Sequence, residues 1–212
     1  MTNGISRKQF LRLAGLSASL IAIDTARAEE DAITEDMVFN DPESPTSGNP
    51  KGDLTIVDFF DYNCPYCKNG EKALDAVVKR DGNIRVVYKE LPILSPTSII
   101  GARLALAARY QDKYLVVHEA LMDLPGYSVP QDFMMDAVRK ANVDLLRLSL
   151  DEKRHSDDIV RVLKTNLAVA QAVGFQGLPA TLVGVYKVNE ALNEKGLERV
   201  IADARTRQKA KG

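Results

Sequence analysis

Apolar residues along this 212-residue chain change period several times. Thr55-Ile56-Val57-Asp58-Phe59-Phe60 is a short, mostly apolar run that predicts a strand. From Pro65 to about Lys79 the spacing becomes helical, with Leu74, Val77 and Val78 on one face. Asp81-Gly82-Asn83 breaks that helix, and Ile84-Arg85-Val86-Val87-Tyr88 predicts a second strand. Roughly 80 residues of helical character follow, in which Ile100, Leu104 and Ala107 share one face. Ile159, Leu163, Leu167 and Ala170 share another. A strand returns at Ala180 to Val183, and a closing helix carries the core stripe Leu197, Val200, Ile201 and Ala204. The order βαβ, helices, then βα predicts an α/β body over residues 53–208, its sheet interrupted by a helical insertion at about 93–172.

The first 52 residues read differently. Ser6-Arg7-Lys8-Gln9-Phe10-Leu11 is basic and polar, Leu13 to Ile23 is apolar, and Ala26-Arg27-Ala28 offers a small-x-small cleavage pattern. Residues 1–28 are therefore expected to be an export signal cut after Ala28. The apolar run would rise only about 16 Å as a helix, against about 30 Å of hydrocarbon, too short to span a membrane. The basic stretch resembles a twin-arginine signal whose second Arg is Lys, and ordinary Sec export fits as well. Asp41-Pro42-Glu43-Ser44-Pro45 and Gly48-Asn49-Pro50-Lys51-Gly52 are rich in breakers. Residues 29–52 are thus expected to be a linker or loosely attached arm. Four basic residues and one acid give the leader a net +3 within a chain total of −1. The near-balanced total argues against a nucleic-acid partner, and the remainder, at about −4, is a mildly acidic body.

Only two cysteines occur, in Cys64-Pro65-Tyr66-Cys67, where the first strand meets its helix. Zinc would need two further soft ligands, and only His118 and His155 are available, without paired spacing. A purely structural disulfide closing so short a loop would remove little unfolded-state entropy. A redox dithiol suits the position better. A helix N-terminus aims unsatisfied N–H groups and the positive dipole end at Cys64, which stabilises its thiolate. Pro65 fits the first helical position, where its missing N–H costs nothing. Cys64 is then the attacking sulfur, and Cys67, one turn on, the resolving one.

Asp58-Phe59-Phe60-Asp61-Tyr62-Asn63-Cys64-Pro65-Tyr66-Cys67-Lys68 resembles the active-site segment of the DsbA-like thiol:disulfide oxidoreductases, which have a thioredoxin fold. Its spelling is nearest the ScsC-like and BdbD-like branches. Lys89-Glu90-Leu91-Pro92-Ile93-Leu94-Ser95 and Gly177-Leu178-Pro179-Ala180-Thr181 fit the same family, and the resemblance covers about residues 40–208. It implies a thioredoxin-like fold with a helical insertion and a cis proline at Pro179 facing the dithiol. The Leu178 backbone would pair with substrate, although the usual residue there is Thr or Val. It also implies that Asp58 is a buried acid beneath Cys67, exchanging a proton as that sulfur changes state. Lys89 is the candidate counter-charge. Pro65 and Tyr66 would meet substrate, and Tyr66, neutral where strong oxidants often carry His, implies a milder oxidant. Phe60 and Tyr62 are candidates for an apolar substrate surface.

No cofactor or metal is expected. His118 is expected on a partly exposed helix face and His155 at a solvated helix end, neither with a catalytic part. The leading expectation is an exported, periplasmic enzyme that forms disulfides in reduced or unfolded exported proteins. It would be monomeric and re-oxidised by a DsbB-like membrane partner. The same residues would serve an isomerase or reductase kept reduced by a membrane thiol donor. From other classes, the thiolates would suit a Cu(I) carrier, and the helical insertion a holdase chaperone.

Overall fold

A computed structural model describes residues 33–210; the expected export signal lies outside them. The central βαβ unit is β2 (Leu54–Phe60), α2 (Pro65–Asp81) and β3 (Ile84–Glu90), with its strands parallel and Ile56 level with Val86. β4 (Ala180–Val183) runs antiparallel to β2, and β5 (Tyr186–Val188) antiparallel to β4. β1 (Thr46–Gly48) pairs antiparallel with β3, giving the order β1-β3-β2-β4-β5.

Strand alternation divides the core into two layers. Ile56, Phe60, Val86, Tyr88 and Val183 pack with Leu74, Val77 and Val78 of α2 and with Leu197 and Ile201 of α8 (Glu194–Lys209). Val57, Phe59, Val87, Ala180 and Leu182 face the other way, onto Val38 of α1 (Glu35–Phe39) and Val169 and Ala170 of α7 (Ser156–Val173). Between β3 and α7 lie α3 (Pro96–Ala108), α4 (Tyr114–Met122), α5 (Gln131–Lys140) and α6 (Leu145–Arg154). α3 is buried nearly all round at its C-terminal half, from Leu104 to Ala108. At Gly101 a Cβ would stand 3.1 Å from the Tyr62 ring, so this glycine lets α3 close on the loop before the cysteines.

Two expectations about elements need correction. Residues 33–48 are not a free arm: α1 packs on the sheet, β1 extends it, and Arg85 donates to the Phe39 carbonyl at 2.9 Å. The prolines and Gly48, at φ 71°, shape turns around a short edge strand, and composition reads such a stretch as a linker. The buried stripe of α7 is Ile159, Val162, Asn166, Val169 and Ala170, with Leu163 at its margin and Leu167 exposed. Asn166 is buried because its amide donates to the Glu90 carbonyl at 3.1 Å, and a polar residue there hides the true phase from a hydrophobicity count.

Candidate active site

α2 begins at the dithiol. Cys64 is its N-cap, in extended conformation, and its Sγ accepts the Cys67 N–H at 3.1 Å. Pro65 occupies the first turn, and the helix ends at Gly82 in the left-handed conformation, φ 70°. The two cysteines are joined by a disulfide, Cα atoms 5.2 Å apart. Both are buried, while Pro65 and Tyr66 are exposed, Tyr66 by 67%.

The loop before Cys64 is pinned from both sides. Asp61 accepts the Asn63 N–H through one carboxylate oxygen, at 2.8 Å, and the N–H groups of Ile93 and Leu94 through the other, at 3.0 Å each. The Asn63 amide group is shared among Ser95, Thr97 and Ser98 hydroxyls, and its oxygen accepts the Val129 N–H at 2.7 Å. Lys68 donates to the carbonyls of Leu124 and Gly126 at 2.6 and 3.1 Å. The segments carrying exposed Ile93, Leu94 and Tyr127 are thereby tied to the cysteine loop and the first turns of α2. Phe60 and Tyr62, candidates for the apolar surface, are buried instead, because strand and loop direct them under α3 and α4.

The Leu178–Pro179 peptide is cis, and both residues are partly exposed. Pro179 lines a cavity of about 30 Å³ together with Cys67, Asp58, Thr181 and Glu71. Asp58 is buried there, and Thr181, level with it on β4, donates to its carboxylate at 2.9 Å. Burial first, and then the charge of Glu71, push the Asp58 carboxyl up to about 7. Glu71 is likewise raised to about 7, by burial and then by Glu119.

Lys89 is not the counter-charge of Asp58. Asp58 is level with Tyr88, so Lys89, one residue on, projects to the opposite face. It is fully buried there, donating at 2.9 Å both to the Met37 carbonyl and to Asp41. His118 is not an exposed face residue either. It is 1% exposed, enclosed by Phe60, Tyr62, Tyr88 and Tyr114, with Nδ1 3.1 Å from the Tyr62 hydroxyl and Nε2 3.1 Å from Glu71 Oε1. Burial pushes its pKa down, towards the neutral ring. His155 is partly exposed and stacks on Tyr110.

Glu71 escaped the sequence reading, although Cys67, Glu71, Leu74 and Val78 follow the spacing of one helix face. An acid on an otherwise apolar stripe, four residues from a redox cysteine, was the available signal. Among the described residues no group of three or more His, Cys, Asp or Glu converges as a metal cage, and no helix is long and apolar enough to cross a membrane.

A helix-capping dithiol, a facing cis proline and an acid-lined cavity on this sheet define the class: a thioredoxin-fold thiol–disulfide oxidoreductase of the DsbA/ScsC type. The family model described as thioredoxin matches residues 40–203, and the chain belongs to that family. It is similar to a thioredoxin-like oxidoreductase from Silicibacter pomeroyi, with 37% identity and a TM-score of 0.77 over 82% of this chain and 99% of the other. A periplasmic thioredoxin-like protein from Salmonella enterica shares 32% identity at a TM-score of 0.71, over 81% and 97% of the two chains. The catalytic domain of Proteus mirabilis ScsC shares 28% at 0.72, over 80% and 93%. Among curated relatives, a Na(+)/H(+) antiporter NhaA 1 of Salinispora arenicola is 27% identical over 89% of this chain, which spans only 29% of that protein's length.

Proposed function

We propose that this protein is an exported disulfide donor acting on reduced or unfolded substrate proteins. The observation that carries this reading is the Cys64 Sγ capping α2 and accepting the Cys67 N–H at 3.1 Å. An N–H group and a helix dipole aimed at that sulfur stabilise its thiolate, and a stabilised reduced form makes the disulfide a better oxidant. A substrate thiolate attacks Cys64; a new S–S bond forms, the Cys64–Cys67 bond breaks, and Cys67 leaves with the electron pair. Cys67 then takes a proton from Asp58 across the cavity. A second substrate thiolate attacks the substrate sulfur of the mixed disulfide and releases Cys64, leaving the substrate oxidised and the protein dithiol reduced.

The exposed apolar rim of Tyr66, Ile93, Leu94 and Tyr127 suits unfolded chains, and the partly exposed Leu178 stands where the family resemblance puts backbone pairing with substrate. Export to the periplasm rests on the basic–apolar leader of residues 1–28 and agrees with the periplasmic Salmonella relative. A monomer re-oxidised by a DsbB-like membrane protein completes the reading. The uncharged Tyr66 favours a second reading, an isomerase or reductase held reduced by a membrane thiol donor.

Equilibration with glutathione buffers, read by alkylation and mass shift, separates the two. A donor should have a reduction potential of about −120 to −160 mV, and a value below about −220 mV would replace it with the reductive reading. A dithiol that never closes reversibly would remove both.

A further inference from the structure

One loop of the helical insertion reaches back to the dithiol. Residues 123–130 join α4 to α5, and side chains flanking the two cysteines hold both ends of that loop. Lys68, next to Cys67, donates from Nζ to the Leu124 carbonyl at 2.6 Å and to the Gly126 carbonyl at 3.1 Å. Asn63, next to Cys64, accepts the Val129 N–H at 2.7 Å through its amide oxygen. Leu124 and Val129 also turn into the core, so polar and apolar contacts fasten the loop together. Tyr127 stands between these fastenings, 78% exposed.

Two features make this a costly way to join two helices. The Lys68 side chain is buried, yet its hydrogen bonds go to uncharged carbonyls, and Asp61 favours its charge only from beyond contact. Burying a cation without an anion against it costs desolvation that two carbonyls offset only in part. Ser128 takes φ 56°, a left-handed conformation unfavourable for a serine, and Gly126 takes φ 82°. Left-handed residues on both sides of Tyr127 bend the chain sharply around it. A connector needs neither the buried cation nor the strained serine. Together they fix an exposed ring in one place beside a reacting bond.

We infer that Tyr127 is a specificity-determining residue of the exchange site, receiving an aromatic or large apolar side chain next to the substrate's reacting cysteine. Lys68 and Asn63 are the positioning residues that hold it there, an assignment that rests on the exchange reading of the same site. Because the loop hangs from residues that bracket the disulfide, a chain whose sulfur attacks Cys64 must pass close to it. Ile93 and Leu94 form a separate wall, held through their N–H groups by Asp61. An unfolded chain exposes the aromatic side chains that folding later buries, and a fixed tyrosine ring offers them an edge or a face.

The test uses two blocked peptides, each with one cysteine, flanked on both sides by phenylalanine in one and by alanine in the other. A peptide thiolate attacks Cys64, the new S–S bond forms, and Cys67 leaves with the electron pair. A second peptide thiolate then attacks the peptide sulfur, releasing Cys64 and a peptide disulfide, while the two thiol protons pass through solvent to the cysteines. The rate constant for reduction of the full chain, divided by each peptide's thiolate fraction, gives a ratio of phenylalanine to alanine peptide. The unsubstituted protein should favour the phenylalanine peptide by about twofold to tenfold, the range for one aromatic contact. Tyr127→Phe should keep the ratio, and Tyr127→Ala should bring it near one. Lys68→Met, which keeps the stem and removes the donors, should lower it as well. General loosening of the fold slows both peptides and leaves the ratio where it was. A ratio near one in the unsubstituted protein, or one that Tyr127→Ala does not change, overturns the inference and leaves the exchange reading intact. Lys68→Met that slows both peptides alike at a constant ratio, with a shifted reduction potential, overturns the positioning part, because the lysine then acts on the sulfurs. Reduction by dithiothreitol but by neither peptide removes the inference alone, and a disulfide that no thiol reduces removes both. Melting temperatures identify a Lys68→Met protein that has not folded, in which case the variants of exposed Tyr127 decide.

Discussion

Tyr66 projects 67% exposed from the first turn of α2, between two buried cysteines. A charge placed there would act on the Cys64 thiolate without disturbing the core. Tyr66→His should therefore make the protein more oxidising by about 30 mV, equivalent to about 1.4 kcal/mol of thiolate stabilisation. Because the imidazole must be protonated to act, the gain should grow below about pH 6.5 and fade above it. The glutathione equilibrium measured at pH 6 and 8 checks this, and an unchanged potential at both values would show that solvent screens the position. At this scale local spelling placed the cysteines at a helix start, while the cis bond at Pro179 and the burial of Asp58 came from the family resemblance. The sequence misled on Lys89 and His118, whose surroundings come from residues about 50 positions away: Asp41 and Met37 for the lysine, Tyr62 and Glu71 for the histidine. A buried lysine and an exposed one look alike until the partner's position is known.

The edge of the sheet is where an element decides a residue's fate. β1 and the turn before it cover β3, and the same segment brings Asp41 to Lys89, whose side chain is wholly buried. Removing residues up to Asn49 would expose the β3 edge, uncover the apolar face on which Val38 packs, and take both acceptors, the Met37 carbonyl and the Asp41 carboxylate, from the Lys89 ammonium. Losing that apolar burial, about 1.5–3 kcal/mol for each large side chain, together with the pairing should make the shortened chain melt about 10 °C or more below residues 29–212. Circular dichroism melts of the two forms test it, and equal melting temperatures would restore the loose-arm reading. The long elements of the domain were legible because each had apolar periodicity and a stop signal: β2, α2 up to Gly82, β3 and α8. β1 and β5 were not, since three-residue edge strands hold too few alternations to form a pattern. Their pairing is settled by the strands beside them.

Across the whole molecule, the buried acids around the cavity should make stability depend on pH in an unusual direction. Asp58 and Glu71 are raised to about 7, and Glu90 is raised by burial. Between about pH 4 and 7 the folded protein thus binds more protons than the unfolded chain, and its stability falls as pH rises through that window. Asp75 adds in the same sense, though its exposed side of α2 screens the effect. His118 opposes it: kept neutral by burial, it lets the unfolded chain take up an extra proton below about pH 6.5. Three buried carboxyls outweigh one imidazole. Asp41 and Asp81 have lowered values, so their stabilisation is lost only as pH falls below about 4. Lys68 and Lys89, also lowered, act near the alkaline end. The oxidised protein should therefore be most stable near pH 5 and lose a few kcal/mol by pH 8, each unit of displacement being worth about 1.4 kcal/mol. Urea unfolding at pH 5 and 8 measures the difference, and Asp58→Asn with Glu71→Gln should remove most of it. A protein more stable at pH 8 than at pH 5 would mean that the cavity acids stay ionised, and a site with no proton to give could not protonate Cys67.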